Sequence, residues 1–247
     1  LAATCAFGGV KAILGSLELL FARLGPRPAE TIDGLSTRAA AEKLVRGLQH
    51  RWFATKEFAS LLRFVRAARA EHGSIERAFR RGDDQSAPDV GPGLAAFAEM
   101  AARVSDRPLD RAARFMFPSP EGGAACKRMN LFLRWCARKN DGLDLGLWRT
   151  PTPDRLVVPL DVHVAFHARV LGFTKRRQAD WKAALETTAA LRAFDPADPI
   201  RFDFALCHLG IHGACIGRRS QAICPSCPLD ALCRLPRARA KTRTAVG

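Results

Sequence analysis

The sequence predicts an all-α protein. Apolar residues recur at helical spacing through much of the chain, Ala and Leu dominate, and only Arg155 to Val158 reads as β-like before Pro159 stops it. Ala41, Leu44, Val45 and Leu48 fall on one helical face. Phe58, Leu61, Leu62, Val65 and Ala68 repeat the rule, with Thr55 expected as the N-cap. Met129, Phe132, Leu133 and Cys136 form a third stripe, and Trp181, Ala184, Leu185 and Thr188 a fourth. Gly, Pro and Asp clusters place loops at 82–93, 117–125, 139–155 and 194–199. The expected division is a helical bundle over 1–119 and a second helical unit over 120–247, ending in a basic, frayed tail. The chain starts at Leu1 without Met, which reads as a truncated N-terminus.

The 247 residues are 48% hydrophobic, which excludes a disordered arm and supplies a core. Lys and Arg number 39 against 24 Asp and Glu, a net charge of +15. Such a surplus favours a polyanion, nucleic acid first and a membrane surface second. No run approaches the roughly 18 apolar residues of a spanning helix, so no membrane-spanning segment is expected. Arg63, Arg66 and Arg69 share a face and Lys175, Arg176 and Arg177 form a run, both reading as solvated surface with some affinity for phosphates.

Eight cysteines divide into two groups. Cys5, Cys126, Cys136 and Cys207 stand singly in apolar stretches, whereas Cys215, Cys224, Cys227 and Cys233 crowd into nineteen residues as C-x8-C-x2-C-x5-C. Four thiolates in so short a loop can wrap one soft metal centre, and the pattern is that of an intracellular protein. Zinc is open as an alternative, although zinc ribbons usually join two C-x2-C pairs and only one is present. The chief expected role is a structural clip that displays Arg218, Arg219 and Arg234 toward a phosphate backbone.

A second constellation starts at Gly122 and Gly123 and runs through Lys127, Arg128 and Asn130 into the third stripe. Small residues before a helix let its free amides approach a phosphate, so Gly122, Gly123 and Arg128 are expected DNA contacts. Asp161 stands at the expected start of another helix ending before Gly172, where its carboxylate would cap backbone N–H groups and stay ionised. His163 and His167, like His208 and His212, are spaced i, i+4. Neither pair has a nearby acidic third ligand, so a packed or hydrogen-bonded imidazole is expected rather than a metal site.

The order of these features resembles the helix-hairpin-helix/Gly-Pro-Asp superfamily of base-excision DNA glycosylases: a Gly-rich hairpin with Lys, an apolar-Asp-x-His helix start, then a four-Cys loop. The last two cysteine spacings match those of the [4Fe-4S] loop of endonuclease III and the adenine-mismatch glycosylases. Within this frame, residues 126–135 (CKRMNLFLRW), 159–164 (PLDVHV) and 194–205 (FDPADPIRFDFA) resemble a family of uncharacterised bacterial proteins over nearly the whole chain. The resemblance implies a two-lobed glycosylase-like fold and a [4Fe-4S] cluster on the four cysteines. It further implies a monomer acting on double-stranded DNA with a damaged base, in the bacterial cytoplasm at the nucleoid. Lys127 matches the nucleophilic lysine of the bifunctional enzymes and Asp161 their essential aspartate. A flipped base needs a stacking pocket, for which Trp148, Phe117 and Trp135 are candidates, with Phe115 beside them.

The chain also departs from that pattern. Its hairpin reads Gly-Gly-Ala-Ala-Cys-Lys rather than Gly-x-Gly with lysine two residues on, and Lys127 and Asp161 lie 34 residues apart. The long separation resembles that of the archaeal 8-oxoguanine glycosylases, which makes 8-oxoguanine the first expected lesion. Residues 4–11 lack the Gln that endonuclease III uses near its wedge. A DNA-binding protein without catalysis is the second reading, and an electron-transfer or zinc-structured interaction protein the third.

Overall fold

The computed structural model describes residues 1–104, 111–139, 141–213 and 215–236. These are helical: eleven α-helices, six 3-10 turns and no strand among the described residues. The first seven helices are α1 (Val10–Leu24), α2 (Pro28–Asp33), α3 (Arg38–Leu44), α4 (Thr55–His72), α5 (Ile75–Gly82), α6 (Gly91–Val104) and α7 (Arg111–Met116). The Gly-rich turn leads to α8 (Lys127–Ala137), followed by α9 (Val162–Leu171), α10 (Trp181–Arg192) and α11 (Asp203–Ile211). The basic tail lies outside the described residues.

Side-chain caps start several of these helices. Thr37 accepts from Ala40 N–H, Ser74 from Arg77, Asp161 from Val164 and Asp180 from Ala183. Gly73 and Gly172 close α4 and α9 in the left-handed conformation that glycine adopts without steric penalty. Two expectations are corrected. Thr55 is the first residue of α4 rather than its cap: the Glu57 carboxylate accepts from Ala54 N–H at 2.8 Å, while the Thr55 hydroxyl accepts from Gly47 N–H at 3.1 Å. The β-like run 155–158 forms no strand. Pro153–Arg155 is a 3-10 turn, and Val158 N–H donates to the Thr188 hydroxyl of α10, so its donor is satisfied without a ladder. Burial of Leu156, Val157 and Val158, not strand pairing, explains why these residues are apolar.

One contiguous core runs from Cys5 to Leu206 and crosses residue 119. Phe58, Leu61 and Leu62 of α4 are buried in it, as are Phe79 of α5 and Leu94 and Phe97 of α6. Each such side chain contributes about 1.5–3 kcal/mol on burial. Gly93 lets α6 approach the Phe79 ring so closely that a Cβ there would collide with it.

Helix α8 is anchored by buried charge. Arg134 pairs with Asp203 at 2.6 Å and Asp144 at 3.2 Å, and Arg138 pairs with Asp144 and, at 2.8 Å, with Asp198. Asp144 comes from the 139–155 loop and Asp203 from the start of α11, so the network ties both segments to α8. Burial raises the Asp203 carboxyl to about 6, against the pull of Arg134.

Candidate active site

Lys127 owes its position to the turn before it. Pro120–Gly122 forms a 3-10 turn, with the Ser119 hydroxyl accepting from Glu121 N–H, and Gly123 follows at φ +77°. The turn is pinned to α10: Trp181 N–H donates to the Gly123 carbonyl at 3.0 Å, and Ala124 bridges Asp180. Gly122 and Gly123 are exposed, with open space where a Cβ would stand. Cys126 takes φ +50°, a left-handed conformation costing a non-glycine residue about 1–2 kcal/mol. Its thiol donates to the Pro118 and Ala124 carbonyls at 3.3 and 3.2 Å, and burial pushes its pKa up to about 12. That bend turns the chain into α8 with Lys127 as its first residue, half-buried, its Nζ donating to the Ala6 carbonyl at 3.2 Å.

Asp161 sits at the N-cap of α9. Its Oδ1 accepts from Val164 N–H at 2.8 Å, and its Oδ2 accepts from the Cys207 thiol of α11 at 3.1 Å. Burial is the largest cause pushing the Cys207 thiol up to about 12, followed by the Asp161 carboxylate. The Lys127 ammonium is near enough to oppose that rise. Asp161 and Cys207, 46 residues apart in the chain, are thus joined by a hydrogen bond between α9 and α11. The sequence does not mark Cys207, which stands singly in an apolar stretch. Nothing in the spacing of α11 marks it, because its place beside Asp161 is set by the packing of α11 on α9.

The remaining expected site residues lie differently. Arg128 turns inward: its guanidinium stacks 3.6 Å from the Phe115 ring centroid and donates to the Phe115 carbonyl, and burial lowers its pKa to about 10. Phe117 is buried against Phe64, with centroids 4.3 Å apart. Trp148 packs edge-on to Phe132 at 5.1 Å. Trp135 is half-buried, its carbonyl accepting from Leu145 N–H. A cavity of about 270 Å³ is lined by Leu61, Phe64, Phe97, Phe117, Met129 and Phe132 among others. Lys127, Asp161, Cys207, Trp135 and Trp148 do not line it. Part of the basic surface is engaged internally, since Arg69 forks Asp33 and Arg176 forks Asp180.

The histidines follow the packed reading in the main. The His163 ring lies against Gly210, where only a missing side chain leaves room. His167 Nδ1 donates to the His163 carbonyl at 2.9 Å, and burial lowers its pKa, so the ring is neutral at pH 7. Its Nε2 is buried without a partner in the described residues. The ring centroids of His208, in the last turn of α11, and His212, its C-cap, are 5.1 Å apart.

Cys215, Cys224, Cys227 and Cys233 line one small cavity of about 30 Å³. All are free thiols, and Cys224 Sγ accepts from Ser220 N–H at 3.2 Å. Among the described residues, no three His, Cys, Asp or Glu side chains stand close enough to form a finished metal site. Arg219 staples the loop from within, donating to Asp230 and to the Cys233 carbonyl. Arg234 lies against Gly172, its N–H donating to the Val170 carbonyl, while Arg218 is exposed. No helix among the described residues is long and apolar enough to cross a membrane.

Neither a curated protein nor a solved structure matches the chain. The family model that does match includes Lys127, Asp161 and Cys207 and stops short of the four-cysteine loop. It spans residues 1–212 and is described as a protein of unknown function, DUF2400; the chain belongs to that family.

Proposed function

We propose that this protein is a base-excision DNA glycosylase with AP lyase activity, removing a damaged base from double-stranded DNA. The observation carrying the reading is that Lys127 opens α8 directly after the Gly122–Gly123 turn while Asp161 caps the N-terminus of α9. An amine and a carboxylate at two helix starts of a strongly basic protein suit attack on the sugar of a nucleotide, provided both reach one groove. The two-lobed helix-hairpin-helix arrangement, with lobes over 1–119 and 120–247 sharing the core that crosses residue 119, is part of the proposal; the glycine turn between α7 and α8 supports the hairpin.

In this reading the base leaves with the electron pair of its glycosidic bond, and the Asp161 carboxylate stabilises the positive charge developing on the sugar. Lys127, freed of its proton and of the Ala6 carbonyl, attacks C1′ with Nζ. Loss of a further proton from Nζ, with cleavage of the C1′–O4′ bond and protonation of O4′, opens the sugar ring and gives the protonated Schiff base. Removal of a 2′ proton then expels the 3′ phosphate by β-elimination. Free amides at the start of α8, beside Gly122 and Gly123, hold a backbone phosphate. The first lesion to test is 8-oxoguanine.

Four thiols lining one cavity are a donor set suited to a [4Fe-4S] cluster, or to zinc as the alternative. Cys215, Cys224, Cys227 and Cys233 would hold it. Once bound, it would crosslink the loop and keep Arg218 and Arg234 presented to the DNA backbone. The proposal places a monomer in the cytoplasm, at the nucleoid.

The test is borohydride trapping on duplexes carrying a panel of oxidised, alkylated and deaminated bases. A covalent adduct that Lys127→Ala abolishes supports the reading. No adduct on any lesion, with DNA affinity retained, leaves a binding protein without catalysis.

A further inference from the structure

We infer that Cys207 is a positioning residue for Asp161, its thiol donating to Oδ2 and holding the carboxylate in one orientation. The inference rests on the function proposed above and adds to it a residue that the sequence pattern does not mark. The Sγ–Oδ2 distance is 3.1 Å, and the other carboxylate oxygen is fixed at 2.8 Å by Val164 N–H. Both oxygens therefore have a donor, one from α9 and one from α11, and each keeps lone-pair capacity for a developing cation.

The chemistry of the thiol fits a donor and excludes a nucleophile. Burial, the hydrogen bond to Asp161, its charge and that of Asp203 all favour the protonated form, while Lys127 opposes them. Ionisation would set two anions side by side. With its pKa pushed up to about 12, Cys207 stays a neutral S–H at pH 7. A thiolate role in alkylation or disulfide exchange is thereby disfavoured.

Two measurements separate this inference from the reading beneath it. On a processed lesion, Cys207→Ala lowers kcat about tenfold with KM unchanged, whereas Cys207→Ser keeps a donor and stays within about twofold of the starting chain. Independently of activity, the infrared S–H band of Cys207, assigned by subtracting the Cys207→Ser spectrum, moves to higher frequency in Asp161→Asn as the acceptor weakens. That second arm does not depend on Cys207→Ala folding. Full kcat in Cys207→Ala, with Asp161→Asn inactive, overturns the positioning role and leaves the proposed function standing. An S–H band unmoved by Asp161→Asn shows that the bond is absent and overturns it as well. Full base release by Asp161→Asn overturns the proposed function and the positioning role together, and the infrared band then reports only whether the bond exists.

Discussion

The Lys127–Asp161 site and the four-cysteine loop are held in place by different means. The site rests on helices with buried faces: Leu133 of α8, Val164 and Ala165 of α9, and Leu206 of α11. Between residues 215 and 236 no described side chain is buried, and Ile216 and Leu232 are exposed. Short-range backbone bonds, the Arg219 staple and the bond from Arg234 to Val170 are what hold the loop. A segment with so little apolar burial has low local stability unless something crosslinks it. The comparison teaches that Lys127 and Asp161 are placed by helices with buried faces, while the cysteine loop has only short-range bonds to hold it.

The largest expected effect falls on chemistry. Asp161→Asn lowers base release by about 10²–10³-fold in single-turnover assays, as expected when a group stabilising transition-state charge is lost. Its helical circular dichroism is unchanged, because the amide oxygen can still cap α9. Next comes the anchor of α8. Arg134→Ala leaves Asp203 and Asp144 buried with reduced compensation and destabilises the protein by about 3–5 kcal/mol in urea unfolding. A cost below about 1 kcal/mol would mean that the network is solvated, as surface pairs are.

The cysteine loop should respond in the opposite way. If the proposed metal centre is present, Cys227→Ala or a chelator opens residues 215–236 to proteolysis and weakens DNA binding while leaving the signal of α1 to α11 in place. Coupled loss of the whole helical signal would contradict the contrast between the two regions.

The smallest effect is a pH dependence. The folded pKa of Asp203, about 6, lies above its ordinary value of 3.8, so the folded state binds the proton more tightly. Its contribution is fully present below pH 3.8 and is lost as pH rises through 6. Chemical denaturation across that window shows this falling component in the parent chain and not in Asp203→Asn. Asp33 and Asp180, held low by Arg69 and Arg176, act oppositely, losing stability as pH falls below the ordinary carboxylate range.

The sequence made the helices legible where one side chain reports its own backbone. The stripes of α4 and α8, and Asp161 with Gly172 at the two ends of α9, are visible because capping and amphipathic spacing are local. Distant partners are not encoded that way. Cys207 looks like any small apolar residue, and its bond to Asp161 appears only when α11 is laid on α9. Arg128 read as a phosphate contact, yet Phe115 offers its guanidinium a ring and a carbonyl inside the fold. The Arg134–Arg138 network escaped because its aspartates come from three separate segments.

The most direct test of the central claim is to reduce the protein–DNA adduct with borohydride, digest it, and map the modified residue by mass spectrometry. The account predicts the sugar remnant on Lys127 alone. A remnant on another lysine or on the terminal amine, with Lys127 unmodified, would contradict it.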